Sequence, residues 1–332
     1  MDLHQPSGSF KSRGIGNMIL KAIAALPIDV PRSSLMIYSS SGGNAGLAAV
    51  TAAHALGCPC TVVVPESTTE LMIRKIKAAG GRVIQFGESW AEADIYLREL
   101  MVSEAESGAE GVVKGVYCPP FDHPDIWQGN STIVDEIIAQ LPNDAGIPAA
   151  LVASVGGGGL LVGIQHGLER HSMGRIPVLA VETRGADSLA FSLLHPEAPV
   201  LPRISSIATS LGARRVAAEC QRIVAREGSN IKSVVLEDWQ GAQACIRFAE
   251  EERCVVEVAC GISLAACYFG GVLEKALARK VEKTDTVVVV VCGGSNISLG
   301  LLVSFVPFDT SSSLVICIAI HGGCFTNVSG GV

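Results

Sequence analysis

Lys11 stands in a loop of small residues, within the segment PSGSFKSRG at positions 6–14. Lysine amines in such loops are mostly solvated, so this residue alone is weak evidence of chemistry. Small neighbours, however, would let a bulky aldehyde reach the amine, and contact with Phe10 would exclude water and favour the nucleophilic neutral form. The segment is therefore a candidate for a lysine that acts as both nucleophile and base.

A second candidate is the segment SSSGGNAG at positions 39–46, which follows an apolar run and opens a helix-like pattern. Successive backbone N–H groups at the start of a helix form a site for anions. Alternatively, Ser41 or Asn44 caps the helix, and the glycines only relieve backbone strain. The segment alone does not decide between these two interpretations.

The third segment is SVGGGGL at positions 154–160, again between an apolar run and a helical pattern. Four consecutive glycines cost too much conformational entropy for an ordinary connection, which favours a phosphate cradle. A dinucleotide site is the alternative, with Glu182 at the next strand end as the acid that binds a ribose. No G-x-G-x-x-G register can be threaded through this segment, so the dinucleotide interpretation is second.

The fourth segment, VCGGSN at positions 291–296, closes the last apolar run of the chain that resembles a strand. Ligands gather at the carboxyl ends of strands in open α/β sheets, which makes Cys292 a candidate. The alternative is a buried thiol followed by an ordinary turn.

These segments need a framework, and apolar runs alternating with amphipathic stretches predict one. Runs rich in Val and Ile predict buried strands at 35–38, 61–64, 83–86, 149–154, 178–181 and 286–291. Periodicity predicts helices at 44–56, 68–79, 90–107, 126–140, 160–170, 238–252 and 262–278, and Gly57, Gly80 and Gly108 each follow one. This alternation predicts an α/β fold with parallel sheet.

Composition excludes several classes of protein. The chain has 332 residues, of which 48% are hydrophobic and 17% charged, so it can bury a sizeable core. Its net charge of −7 offers no basic surface for nucleic acid. Neither a signal peptide nor an apolar run of about 18 residues is recognisable, and eleven cysteines without a secretory signal suggest reduced thiols in the cytoplasm.

Taken in this order, the four segments resemble those of the pyridoxal 5′-phosphate (PLP) dependent serine/threonine dehydratases, in particular the catabolic L-serine type without a regulatory domain. The resemblance extends over residues 2–299, and PSGSFK, GGGGL and CGGSN together are much more specific than any one of them. It implies an α/β fold of fold type II, with two open doubly wound sheets and an active site between two domains. The implied activity is that of a lyase, which converts serine to pyruvate or threonine to 2-oxobutanoate with release of ammonia.

The resemblance also implies roles for single residues. Lys11 would form the Schiff base with PLP, and Phe10 would pack against the cofactor ring. The substrate-binding residues would be Ser41, Gly42, Gly43 and Asn44, of which Asn44 would also hydrogen-bond the ring hydroxyl. The phosphate would be bound by the backbone amides of Gly156, Gly157, Gly158, Gly159 and Leu160.

Cys292 would face the pyridine nitrogen of the cofactor. A thiol cannot protonate the ring as a carboxylate would, which fits β-elimination better than transamination. The family also places a structural potassium ion at positions that correspond to Glu182, Ala186, Ser188 and Leu211, held largely by carbonyl oxygens. An exposed strand end is the alternative interpretation of Glu182.

The polar break LPNDAGI at 141–147 suggests the domain boundary. We expect a small α/β domain at 12–141, a large PLP-binding domain from 1–11 and 142–303, an atypical tail at 304–332, and a homodimer. Three functional alternatives remain at this point: a β-replacement synthase, a racemase of the same fold, or a truncated fragment without activity. The last arises because family members carry further residues before the lysine motif.

Overall fold

The structure is a computed structural model that describes residues 1–106, 114–142 and 145–305. Its backbone contacts define two compact units, a smaller one at His4–Asn130 and a larger one that joins Met1–Leu3 to the residues from 131 onward. The two domains predicted from the sequence have their boundaries at residues 11 and 141 instead. That division into a small and a large domain stays a prediction. The predicted tail at 304–332 lies almost wholly outside the described residues.

The smaller unit is built around a four-stranded parallel sheet in the order β3-β2-β1-β4. Its strands are β1 (Leu35–Ser39), β2 (Cys60–Val64), β3 (Arg82–Gln85) and β4 (Lys114–Tyr117). The helices are α1 (Lys11–Ala24), α2 (Asn44–Leu56), α3 (Glu70–Ala78), α4 (Trp90–Glu106) and the first part of α5 (Pro124–Gln140).

Helices cover both faces of this sheet because successive strand residues point to opposite sides. Ile37 and Val62 face the core that α1 and α2 complete. Their neighbours Tyr38 and Val63 face a second core, which α4 closes with Ala93 and Leu97. Because both faces are covered, all five residues of β2 are buried, and Thr61 is the one polar residue among them.

The larger unit repeats this plan with a parallel sheet in the order β7-β6-β5-β8. Its strands are β5 (Ala150–Ser154), β6 (Val178–Thr183), β7 (Ile231–Leu236) and β8 (Val287–Val289). The helices are α6 (Gly159–Arg170), α7 (Ser188–Leu194), α8 (Ala218–Ala225), α9 (Asp238–Glu252), α10 (Val258–Tyr268), α11 (Val272–Leu277) and α12 (Leu299–Ser304). No helix in the described ranges is both long and apolar enough to cross a bilayer.

The structure differs from the predicted elements at several places, and the sequence did not predict helices α1, α7, α8 and α12. The helix predicted at 262–278 is wrong, because α10 ends at Tyr268 and Gly271, with φ +82°, separates it from α11. Strands β4 and β7 were not predicted, since β4 is short and only partly buried and β7 carries exposed residues at the sheet edge. Gly108, predicted to end a helix, lies outside the described residues.

Helices α9 and α10 pack closely where two glycines face each other. A Cβ atom added to Gly261 would lie 2.3 Å from the sulfur of Cys245 and 2.4 Å from the carbonyl oxygen of Gly241. Neither distance is tolerable, and one of the two atoms is backbone, which cannot rotate away. The absence of a side chain at Gly261 is therefore a packing requirement.

We expect Gly261→Ala to lower the free energy of unfolding by about 1–3 kcal/mol, the usual range for overpacking. Gly16→Ala is the matched control, because Gly16 is also inside a helix but has no atom within 4 Å of an added Cβ. There, alanine should be neutral or stabilise by up to about 1 kcal/mol through helix propensity. Urea denaturation of both variants measures the difference, and equal effects would contradict the packing argument.

Candidate active site

Lys11 is the first residue of α1, and a compact serine-rich turn leads into it. Within this turn, the Ser7 amide donates to Ser12 Oγ at 3.0 Å, and the Oγ atoms of Ser7 and Ser12 are 2.7 Å apart. Gly8 adopts a positive φ of 75°, which glycine allows without strain. Local hydrogen bonds therefore fix the backbone that carries the lysine.

The side chain of Lys11 reaches the loop that follows β4. Its Nζ donates to the carbonyl oxygen of Pro120 at 2.5 Å and lies 5.0 Å from the centre of the Phe10 ring. Burial raises the pKa of the nearby Cys118 thiol to about 12, although the charge of Lys11 lowers it. Cys118 thus stays a neutral thiol. Neither it nor Pro120 was identified from the sequence, because no motif marks them.

Ser41, Gly42, Gly43 and Asn44 form the turn between β1 and α2. A Cβ atom on Gly46 would lie 1.8 Å from the carbonyl oxygen of Ser41, and one on Gly42 would lie 2.6 Å from Thr68 Oγ1. The turn is therefore held closely on both sides. Gly43 stands immediately before the helix and has no side chain to cap it, while the Ser41 hydroxyl accepts from the Gly43 amide at 3.3 Å.

This turn and the Lys11 contact lie at the same edge of one sheet. Strands β1 and β4 are parallel neighbours, with Tyr38 opposite Tyr117. The Cys118 amide extends the pairing by donating to the Tyr38 carbonyl at 2.7 Å. The structure thereby brings the candidate lysine and the candidate anion site to adjacent strand ends.

In the larger unit, the predicted phosphate-binding residues lie between β5 and the first turn of α6. They are Gly156, Gly157, Gly158, Gly159 and Leu160. Gly158 precedes the helix with φ +86°, and an added Cβ would lie 2.5 Å from the sulfur of Cys220. An added Cβ on Gly156 would lie 3.1 Å from the Cα atom of Leu211. Side chains would fill this cradle, whereas a helix start made of glycine directs backbone amides at an anion. The residues present fit a phosphate ester.

Cys292 lies beyond the end of β8 and is buried. Its sulfur is 3.6 Å from the hydroxyl oxygen of Ser154, the last residue of β5. Since β5 and β8 are paired, Cys292 and the glycine turn lie at the same edge of the second sheet. The structure therefore assembles the third and fourth candidate segments as it does the first two.

Glu182 is completely buried, so its interpretation as an exposed strand end is wrong. Its two carboxylate oxygens accept hydrogen bonds from the amides of Leu189 at 2.7 Å and Ala190 at 2.9 Å, in the first turn of α7. Burial raises the pKa of Glu182 to about 8, although these amides lower it. The Ser188 hydroxyl donates to the carbonyl oxygen of Ala213.

The residues predicted to bind potassium do not form a side-chain cluster of the kind that binds a transition metal. Among the residues that the structure describes, no group of three or more His, Cys, Asp or Glu side chains could hold a metal ion. Oxygen atoms from Glu182 and from the backbone would suit a weakly bound monovalent cation, so the assignment to Glu182, Ala186, Ser188 and Leu211 stays a prediction.

The chain matches a protein family described as pyridoxal-phosphate dependent enzyme over residues 1–293. It is 47% identical to an L-serine dehydratase of Saccharomyces cerevisiae (strain AWRI1631), over 89% of this chain and 86% of that protein. It is 40% identical to a human serine dehydratase-like protein, over 89% of this chain and 83% of that one.

Solved structures are similar to this chain in the same way. The crystal structure of an L-serine ammonia-lyase from Rhizomucor miehei matches with a TM-score of 0.80 and 33% identity, over 92% of this chain and 90% of that one. The predicted α/β architecture of fold type II is confirmed, and the family match favours the phosphate cradle over a dinucleotide site. The chain belongs to the pyridoxal-phosphate-dependent enzymes, within the serine/threonine dehydratase family.

Proposed function

We propose that this protein is an L-serine ammonia-lyase that also accepts L-threonine. It releases pyruvate from serine, or 2-oxobutanoate from threonine, together with ammonia. The observation that carries the proposal is the similarity to an L-serine dehydratase over 89% of the chain. The family match extends over residues 1–293, which include Lys11 and the turns at 39–46 and 154–160. The fixed position of Lys11 at a sheet edge gives this similarity a chemical basis.

The backbone amides would hold the phosphate at Gly156, Gly157, Gly158, Gly159 and Leu160. Asn44 would bind the ring hydroxyl, Phe10 would pack against the ring, and Cys292 would face the ring nitrogen. Bound PLP would supply an electron sink for the α-carbon of the amino acid. The thiol of Cys292 would stabilise a protonated ring nitrogen less than a carboxylate would, which suits elimination.

Lys11 Nζ would have two roles, because it would hold the cofactor covalently and, as a free amine, would serve as the base that removes the α-proton. The carbonyl oxygen of Pro120 accepts a hydrogen bond from this nitrogen and so orients it. The turn formed by Ser41, Gly42 and Gly43 binds the substrate carboxylate at the positive end of α2, which fixes the α-carbon.

A racemase or a β-replacement synthase of the same fold is the alternative activity. Release of a 2-oxo acid from serine without an added thiol separates a dehydratase from a synthase, and D-serine as the main product identifies a racemase. A homodimeric state and a cytoplasmic location stay predictions from the sequence.

We expect Lys11→Ala to abolish the visible absorbance band of the bound cofactor and to reduce 2-oxo acid release at least about 10³-fold. Lys21→Ala is the matched control on the same helix, because Lys21 forms a surface ion pair with Asp125 at 2.6 Å. It should retain both signals. A band of unchanged position and intensity in the Lys11 variant would defeat the proposal, and D-serine as the main product would favour a racemase.

Gly158→Ala should weaken PLP binding about tenfold, because the new methyl group collides with Cys220 and displaces the turn that holds the phosphate. Gly228 offers a control in the same unit, with φ +71° and no atom within 4 Å of an added Cβ. Titration of the apoprotein with PLP gives the two dissociation constants. The cradle assignment is wrong if Gly228→Ala weakens binding as much as Gly158→Ala does.

We further propose that potassium binds near Glu182, at Ala186, Ser188 and Leu211. The folded-state pKa of Glu182 is raised from 4.5 to about 8 without a cation. Its contribution to stability is therefore fully present below pH 4.5, and it is lost as the pH rises to about 8. A cation beside the ionised carboxylate should oppose this loss.

KCl should accordingly raise the melting temperature more at pH 8 than at pH 5, relative to tetramethylammonium chloride at equal ionic strength. Glu182→Gln should remove the difference, since it removes the charge. A potassium effect that is equal at both pH values, or unchanged in the glutamine variant, would place the ion elsewhere.

A further inference from the structure

Asp94 is a buried carboxylate in α4 that belongs to none of the motifs discussed above. Its Oδ1 accepts hydrogen bonds from Ser40 Oγ and from the Tyr117 hydroxyl, both at 2.6 Å. Its Oδ2 accepts from Arg98 Nε at 2.9 Å, and the Arg98 guanidinium lies 3.9 Å from the centre of the Tyr117 ring. One side chain thus accepts three donors in a nearly dry environment.

The two donors on the sheet occupy particular positions. Ser40 is fully buried and stands directly before Ser41, where the turn begins that we assign to the substrate carboxylate. Tyr117 is the last residue of β4, and Cys118 and Pro120, beside Lys11, follow it. Asp94 therefore joins the ends of two neighbouring strands, each of which leads into a loop of the proposed site.

The charge states of Asp94 and Tyr117 favour strong hydrogen bonds between them. Burial raises the pKa of Asp94, but the hydrogen bonds from Ser40, Tyr117 and Arg98 outweigh it and hold the pKa below its usual range. Burial and the contact with Asp94 raise the pKa of Tyr117 to about 12, so its hydroxyl keeps the proton that it donates. An ionised acceptor makes both hydrogen bonds stronger than neutral pairs would be.

Such a cluster is not needed for stability alone. Burying the carboxylate is costly although the Arg98 side chain stays 52% exposed, and apolar side chains of similar volume often stabilise such a position as well or better. The carboxylate instead fixes a geometry. The hydroxyl groups of Ser40 and Tyr117 can both donate to the same oxygen atom only in one arrangement of the two strand ends.

We propose that Asp94 is a positioning residue of the active site, which fixes the substrate-carboxylate turn through Ser40 and the loop beside Lys11 through Tyr117. This inference rests on the proposed function of the turn formed by Ser41, Gly42 and Gly43. Asp94 acts on the carboxylate turn through Ser40 and on the loop beside Lys11 through Tyr117. Each of these two donors can be removed by a single substitution.

Removing one donor should affect one half of the site. Ser40→Ala should raise KM for L-serine about tenfold and change kcat less than about threefold, because only the carboxylate turn loses its anchor. Tyr117→Phe should lower kcat with little change in KM, because Pro120 and thus Lys11 lose their support. Asp94→Ala should combine both effects. Asp94→Asn keeps an oxygen acceptor for both donors and should recover part of the loss.

Glu104 provides a matched control on the same helix. It accepts from the Tyr38 hydroxyl of β1 and from Arg82 at 3.1 Å, so it shares the tyrosine and arginine donors of Asp94. It lies ten residues further along α4, or about 15 Å at the rise of a helix, away from the strand ends. Glu104→Ala should lower the melting temperature while KM and kcat stay within about twofold.

Hydrogen exchange of the apoprotein tests the inference without reference to activity. Asp94→Ala should speed amide exchange at least about tenfold at residues 40–44 and at Cys118, whereas Glu104→Ala should not. If the wild-type protein releases no 2-oxo acid but this exchange pattern is found, the proposed function fails and the positioning role stands. Equal exchange in both variants, or a Ser40→Ala protein with unchanged KM, would overturn the positioning role. Ser40→Ala and Tyr117→Phe keep the test decisive if Asp94→Ala does not fold.

Discussion

Parallel pairing of β1 with β4 determines how the smaller unit can present a reactive lysine. Parallel neighbours end at the same edge, so the turn at Ser41 and the loop at Pro120 must emerge side by side. Lys11 is not on either strand, but its amine is tied to this edge through the carbonyl oxygen of Pro120. The proposed nucleophile is therefore carried by a helix that begins at the lysine, and not by a long flexible loop.

Glycine is used in both units where a strand turns directly into a helix, and for the same physical reason. At Gly46 and Gly158 an added Cβ would collide with the backbone of Ser41 or with the side chain of Cys220. The chain approaches itself so closely there that a side chain does not fit. Amides at such a helix start can bind an anion without the help of a side chain, which would offset the entropy that glycine loses on folding.

Local chemistry explains which parts of the protein could be predicted from its sequence. The turns at 39–46 and 154–160 fall between a strand and a helix as predicted, because glycine runs between apolar and helical patterns have few other uses. Strand β4 could not be found in the same way, since its burial is partial and its pattern short. The contacts that complete the site join residues far apart in sequence, 109 positions for Lys11 and Pro120 and 54 for Asp94 and Ser40. Only the folded sheet brings such pairs together.

Asp94 and Glu182 are both buried carboxylates, but their environments compensate for the loss of hydration in different ways. Asp94 accepts from three side chains, one of them a guanidinium, and its pKa falls below the usual range despite burial. Glu182 is more deeply buried and accepts only from two backbone amides among the contacts described above, and its pKa rises to about 8. At Asp94 the hydrogen bonds from Ser40, Tyr117 and Arg98, together with the positive charge of Arg98, outweigh the effect of burial on the pKa. At Glu182 two neutral amides do not outweigh it. A monovalent cation beside Glu182 would supply to that carboxylate what Arg98 supplies to Asp94.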